Sequence, residues 1–268
     1  MELYLEEKEM SKVILVTGGS RGIGAAVCVR AAHAGYKVAI NYRKDIDAAD
    51  QLINQLTSAG KKAIAVQADV SNEADVVRMF EYVTEKIGSP SALVNCAGVG
   101  GKHMLVADFE RENLELLMKV NVVGTMLCCR EAARRMSTNS GGTGGSIVNV
   151  SSMAGTIGGR PGNSAYAASK AAVDSFSVGF AKEVGTQGIR VNVLRPGVTL
   201  TDMTSAVRDN ADIRKSIEST IAMNRTAKTD EMAAPILWLL SKEASFISGA
   251  SLDASGGGFL IKASTSGK

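Results

Sequence analysis

Aromatic residues are scarce in this chain, with one Trp, five Tyr and six Phe among 268 residues. So few rings leave little platform for stacking nucleobases, and 30 basic against 27 acidic residues give a net charge of only +3, too small to drive binding to a phosphate backbone. No nucleic-acid partner is expected. Long apolar runs are missing too. Ile236 to Leu240 is among the longest, far short of the ~20 residues that cross a bilayer, so no membrane association is expected. The first ten residues, MELYLEEKEM, carry four Glu and one Lys, the reverse of a secretory leader with its basic start and apolar centre. The four cysteines, Cys28, Cys96, Cys128 and Cys129, form neither a C-x-x-C pair nor a metal-ligand spacing. They read as reduced core thiols of a cytoplasmic protein. The two histidines, His33 and His103, stand apart from each other and from any acidic cluster, and no metal site is expected.

What the chain does have is glycine, at 28 residues well above the usual roughly 7%, and a repeated alternation. Short apolar runs, most of them β-branched, recur as VILVTG, KVAINY, KAIAVQADV, ALVNCAG, SIVNVSS, IRVNVLRPG and ASLDASGG. Between them lie stretches with helical spacing, such as Val76, Val77, Phe80, Val83 and Ile87. Strand and helix in alternation imply right-handed crossovers into a parallel sheet. The expected fold is α/β: one doubly wound Rossmann-type domain over residues 12–260, with a seven-stranded parallel sheet flanked by helices. Residues 1–11 read as an extension and 261–268 as a tail. Two further stretches break the rhythm. STNSGGTGGS, Ser137 to Ser146, reads as a flexible surface turn, and the roughly 30 polar residues after Pro196 follow a strand end where such sheets bind ligands, so they read as a substrate lid.

The first strand runs into Thr17-Gly18-Gly19-Ser20-Arg21-Gly22-Ile23-Gly24 and then an Ala-rich helical stretch. Glycines there let the backbone approach a pyrophosphate, and the following helix N-terminus offers unpaired N–H groups. Gly18, Ser20, Arg21, Gly22, Ile23 and Gly24 are therefore candidate dinucleotide-binding residues. Further along, Tyr166 and Lys170 are four apart in YAASKAAVDSF and share a helix face, while Ser152 ends the fifth strand at the same edge of the sheet. A phenol is a poor proton carrier at neutral pH, but a neighbouring ammonium stabilises its phenolate. A carbonyl that receives a hydride becomes an incipient alkoxide in need of donors and a proton, which a Ser and Tyr pair can supply.

The glycine turn, Asp69-Val70, Asn95-Cys96-Ala97-Gly98, Asn121, Ser152, Tyr166-x-x-x-Lys170 and Pro196-Gly197, in that order, resemble the short-chain dehydrogenase/reductase family. The likeness runs from residue 13 to about 257 and is strongest to 3-oxoacyl-carrier-protein reductases and glucose dehydrogenase-like members. Cys96 departs from it, since the family usually has a second Asn there. The resemblance implies Tyr166 as general acid/base, Ser152 as the group polarising the substrate carbonyl, Lys170 as a partner of Tyr166 and of the nicotinamide ribose, and Asn121 in a water-linked proton relay. It further implies Asp69 and Val70 at the adenine, Asn95, Ala97 and Gly98 on the adenosine side, and Pro196, Gly197, Val198 and Thr201 at the carboxamide and phosphates, with Thr199 beside them.

At the end of the second strand, where an NAD-selective site carries an acid, the sequence reads Asn41-Tyr42-Arg43. Arg21 and Arg43 could each reach a 2′-phosphate, so NADP(H) is expected in preference to NAD(H), whose use stays open. The expected activity is an NADP-dependent oxidoreductase acting on a small-molecule carbonyl or secondary alcohol. The alternative is a catalytically weak sensor or scaffold of the same fold. Among enzymes, a 3-oxoacyl thioester reductase and a sugar dehydrogenase both remain: Arg134 and Arg135 could greet an acidic carrier, but Gln187 stands where similar reductases place a basic residue. Leu114 to Met136 is apolar nearly all round, and with Phe176 and Phe180 it suggests a homotetramer.

Overall fold

The computed structural model describes residues 12–258; the expected extension at 1–11 and tail at 261–268, with the last two residues of the expected domain, lie outside them. Each of the recurring runs forms a strand: β1 (Val13–Thr17), β2 (Lys37–Tyr42), β3 (Ala63–Gln67), β4 (Ala92–Asn95), β5 (Gly145–Val150), β6 (Ile189–Pro196) and β7 (Ser251–Ala254). They join in one parallel sheet in the order β3-β2-β1-β4-β5-β6-β7. Side chains alternate between its two faces, so Val13 and Leu15 enter one core while Ile14 and Val16 enter the other. The first core is closed by α3 (Glu73–Ile87), α5 (Gly124–Met136) and α7 (Ser164–Val184); the second by α1 (Gly22–His33), α2 (Ile46–Ser58) and α10 (Thr229–Leu240). On α3, Met79 takes the inner place beside Val76, Phe80 and Val83, and Val77 turns half outward.

The apolar stretch expected as one helix is composite. The short α4 (Arg111–Leu117) passes through a π-helical turn, Met118–Val123, into α5. Leu116, Met118, Val123 and Met126 remain exposed along it. The Ser/Gly stretch expected to be flexible is instead a hydrogen-bonded turn: Gly142 N–H donates to Ser137 O at 2.9 Å and Gly144 N–H to Met136 O at 2.8 Å. Glycine there permits a tight return rather than a loose one. The stretch after Pro196 also has structure, with a 3-10 turn at Asp202–Thr204, α8 (Ser205–Asp209) and α9 (Ala211–Glu218). Val207, Ile217 and Ile221 pack against Val198 and Leu200 as a small core of their own, too few apolar positions to stand out in the sequence.

Strand order reverses between β1 and its neighbours β2 and β4, and a cleft opens at the carboxyl ends of these strands, where open α/β sheets bind ligands.

Candidate active site

The cleft encloses about 950 Å³. Its floor is fixed by Thr17, whose buried Oγ1 accepts from the N–H groups of Cys96 and Ala97, both at 3.2 Å, and so ties the ends of β1 and β4 together. Gly18 follows with φ of 61°, and a Cβ there would lie 2.8 Å from the Cα of Ala97. A Cβ on Gly24 would come within 2.2 Å of the Gly18 carbonyl oxygen, so the first turn of α1 is pressed onto the loop. α1 starts without a side-chain cap at Arg21. The close packing at Gly18 and Gly24 holds the turn with its backbone at the edge of the cleft, a form that suits a pyrophosphate.

Gly18, Ser20, Arg21, Gly22 and Ile23 border the cleft; Gly24 lies behind it and serves the close approach. Asn41, Tyr42 and Arg43 border it as well. The buried Oδ1 of Asn41 accepts from Gly18 N–H at 3.2 Å and its Nδ2 donates to Val66 O and Ala68 O, so both ends are engaged in holding the glycine turn to β3. Arg43 lies 3.6 Å from Asp69, and Arg21 lies 3.6 Å from Asp45 and 3.8 Å from Asp202. Partial burial opposes ionisation of Asp69, but bonds from the Ser71 N–H and O–H and the Arg43 guanidinium outweigh it and hold the carboxyl below its ordinary range. Asp69 and Val70 form the adjoining wall.

Ala97 and Gly98 line the cleft, whereas Asn95 does not. Asn95 is buried on β4 beside Asn149, to whose Oδ1 its Nδ2 donates at 2.9 Å. Strand alternation turns it inward and brings the next residue, Cys96, to the cleft instead. Burial, outweighing the Lys170 ammonium and the Gly24 N–H, pushes the Cys96 thiol up to about 11, which leaves it protonated at neutral pH. Cys28, Cys128 and Cys129 are buried as expected, and all four thiols are free.

Ser152, Tyr166 and Lys170 all line the cleft. Ser152 Oγ accepts from Ala154 N–H at 3.1 Å, at the start of the short α6 (Ala154–Ile157). Lys170 is buried, donates from Nζ to Val150 O at 2.9 Å, and lies 5.9 Å from the centroid of the Tyr166 ring. Asn121, in the π-helical turn, stands behind this group rather than on the wall. Its Oδ1 accepts from Val99 N–H at 2.8 Å while its Nδ2 donates to Val99 O and Ser169 Oγ, both at 3.0 Å. A Cβ on Gly98 would sit 3.3 Å from Asn121 Oδ1 and 3.5 Å from Lys170 Nζ, so the strand end, the π turn and α7 are drawn together here.

Pro196, Gly197, Val198, Thr199 and Thr201 close the far side. Beyond them the mouth is lined by residues the sequence did not single out, Met153, Ile157, Arg160 and Met203, and by His103. His103 is exposed and borders the cleft with its ring against Gly162. A group of such mixed residue types from three loops has no pattern in one dimension.

Comparison with known proteins agrees with this architecture. A family model described as Enoyl-(Acyl carrier protein) reductase matches residues 18–258. The chain belongs to the short-chain dehydrogenase/reductase family. Among its relatives, the uncharacterized oxidoreductase YgfF of Escherichia coli (strain K12) is 43% identical over 91% of this chain and 99% of its own length. The 3-oxoacyl-[acyl-carrier-protein] reductase FabG of Staphylococcus aureus (strain Mu50 / ATCC 700699) is 31% identical over 94% of this chain and all of its own, at 100%. A short chain dehydrogenase from Burkholderia cenocepacia J2315, solved in complex with NADP, superposes with a TM-score of 0.85 at 35% identity, covering 92% of this chain and 97% of that one. This short-chain dehydrogenase/reductase is thus an oxidoreductase by family, and among its described residues no helix is long and apolar enough to cross a membrane.

Proposed function

We propose that the protein is an NADP(H)-dependent oxidoreductase that interconverts a small carbonyl compound and its secondary alcohol. The observation that carries this reading is that Ser152, Tyr166 and Lys170 all line the cleft that begins at the glycine turn, with the Lys170 ammonium 5.9 Å from the centroid of the Tyr166 ring. A nicotinamide dinucleotide bound there supplies or accepts the hydride. The turn from Gly18 to Ile23 would hold its pyrophosphate, Asp69 and Val70 its adenine, Ala97 and Gly98 its adenosine side, and Val198 to Thr201 its carboxamide end. Ser152 Oγ already accepts from Ala154 N–H, which leaves its own proton to donate to the substrate oxygen. Tyr166 Oη passes a proton to that oxygen on reduction and takes it back on oxidation. Lys170, anchored by one N–H on Val150 O, keeps its remaining donors for the phenol side and the ribose. Asn121 positions the loop at Val99 that borders them.

The substrate we propose is free rather than carrier-bound. Arg134 and Arg135, the cations that could have met an acidic carrier, both bind the buried Glu131 at 2.8 and 2.7 Å, and the mouth presents Met153, Ile157 and Met203. Oxidation of NADPH across ketones, aldehydes and acyl thioesters tests both parts. Efficient reduction of an acyl-carrier thioester, lost on Arg134→Glu, would reverse the choice of substrate, and a protein that turns over nothing in the panel would favour a sensor or scaffold. The exposed Leu116, Met118, Val123 and Met126 support assembly into a homotetramer through the composite helix.

A further inference from the structure

Around the adenosine end of the cleft the charges balance. Arg21, Arg43 and Lys44 line it together with Asp45, Asp69 and Asp202. The guanidinium best placed beside the glycine turn is held between two of these acids: Arg21 Nη1 lies 3.6 Å from Asp45 Oδ2 and 3.8 Å from Asp202 Oδ2. The two acids come from opposite sides. Asp45 is the N-cap of α2, where its Oδ1 accepts from Ala48 N–H at 3.2 Å, and Asp202 opens the lid, where Arg208 also grips it at 2.6 Å. Neither occupies the place of an acid that selects NAD through the ribose hydroxyls, because the strand end carries Asn41, which is engaged with Gly18, Val66 and Ala68.

We propose that Asp45 and Asp202 weaken the preference of this protein for a 2′-phosphorylated cofactor by competing with that phosphate for the Arg21 guanidinium. The proposal rests on the reading of the cleft as a dinucleotide site. A phosphate monoester brings close to two negative charges at neutral pH, and planar guanidinium groups suit its oxygens. Seating it on Arg21 displaces, or sits beside, two carboxylates, and their repulsion falls on the phosphorylated dinucleotide alone. The unphosphorylated one presents hydroxyls at the same place and feels little of it. The acids therefore narrow the margin between NADP(H) and NAD(H). Asp45 exerts the larger effect, since Asp202 has Arg208 to neutralise it. Both acids are half exposed, so each contributes modestly and in a salt-dependent way.

Asp45→Asn is the clean substitution, because Asn caps a helix as well as Asp does. Calorimetric titration of wild type, Asp45→Asn, Arg21→Ala and the double variant with NADP+, NAD+ and adenosine 2′,5′-bisphosphate provides the test, at low and at high salt. Asp45→Asn is expected to tighten NADP+ and the bisphosphate by about threefold to tenfold at low salt, with NAD+ changing by less than about twofold, as for a partly screened charge at close range. The gain should shrink at high salt and vanish in the Arg21→Ala background; Asp202→Asn should give a smaller gain of the same kind. An unchanged or weaker grip on NADP+, an equal gain for NAD+, or a gain that persists without Arg21 would each overturn the proposal. A wild type that binds neither dinucleotide overturns the cleft reading and this one together, whereas a wild type that binds both with no effect of Asp45→Asn overturns this one alone.

Discussion

Lys170 donates to the Val150 carbonyl at 2.9 Å while its ammonium lies 5.9 Å from the centroid of the Tyr166 ring. The bond braces α7 against the end of β5 and fixes the cation one helical turn from the phenol. Replacing Tyr166 by Phe keeps this brace and removes only the proton carrier. Tyr166→Phe is expected to lower kcat by at least about 100-fold, the usual share of general acid catalysis, with dinucleotide affinity unchanged. Lys170→Ala should lower kcat and also raise the cofactor KM. Steady-state kinetics with a nucleotide titration separate the two, and near-normal turnover in Tyr166→Phe would remove the assignment.

Gly24→Ala places a methyl group where 2.2 Å separates it from the Gly18 carbonyl oxygen. Overpacking of this kind costs about 1–3 kcal/mol, and the displaced turn should bind NADP+ at least about tenfold more weakly. Urea denaturation and nucleotide titration check the two effects. A variant with wild-type stability and affinity would mean that α1 can retreat from the turn.

Arg43→Asp should lower kcat/KM for NADPH by about tenfold or more while sparing NADH, as expected for loss of a charge-assisted phosphate contact and its replacement by a repelling one. Wild type that uses NADH as well as or better than NADPH would count against the preference itself.

The central strands were legible because their apolar, β-branched runs are buried on both faces, and the edge strands β3 and β7 because each is a short run bounded by turn residues with no competing helical period. Ser152, Tyr166 and Lys170 were legible because strand ends and a four-residue helical spacing fix directions in one dimension. Asn95 was not, because its side depends on which residue of β4 is the last to alternate, and Cys96 took the cleft in its place. The bonds by which Asn41 holds the glycine turn were not legible, since its partners Gly18 and the pair Val66 and Ala68 belong to two segments far apart in the sequence. The acids facing Arg21 and the mouth residues around His103 were invisible for the same reason. The π-helical turn at Asn121 has no sequence signal that sets it apart from an ordinary helix.

Sedimentation equilibrium at micromolar concentration should give a mass that is a multiple of the 28.0 kDa chain, fourfold for the tetramer proposed. Val123→Glu or Met126→Glu, on the exposed stripe of the composite helix, should shift it toward the single chain. A wild-type mass near 28.0 kDa would refute assembly through this face.

Glu131 is 2% exposed and is met by Arg130, Arg134 and Arg135. Burial opposes its ionisation, but the bonds from Arg135 and Arg130 outweigh it and hold the carboxyl below its ordinary range. A folded value below the unfolded one makes the charge stabilising above the ordinary carboxylate range, and that contribution is lost as pH falls through the depressed value. Glu131→Gln should therefore cost about 2 kcal/mol at neutral pH, less than the roughly 3–5 kcal/mol for breaking a fully buried ion pair because its arginine partners are partly exposed. The gap from wild type should close as the pH is lowered through the acid range. Denaturant midpoints measured across that range check it, and a gap independent of pH would assign the loss to packing.

The hydroxyl of Thr17 bridges residues 79 and 80 positions further along the chain. In a sheet whose strands are all parallel, no hairpin can bring such groups together early, and each crossover must close a long loop before any contact repays the lost chain entropy. The floor of the cleft is therefore assembled late, once β1, the three crossovers through α1, α2 and α3, and β4 are in register. The slow step of folding and the birth of the binding site coincide, so a ligand that stabilises the cleft acts on the finished sheet and slows its unfolding more than it speeds its formation.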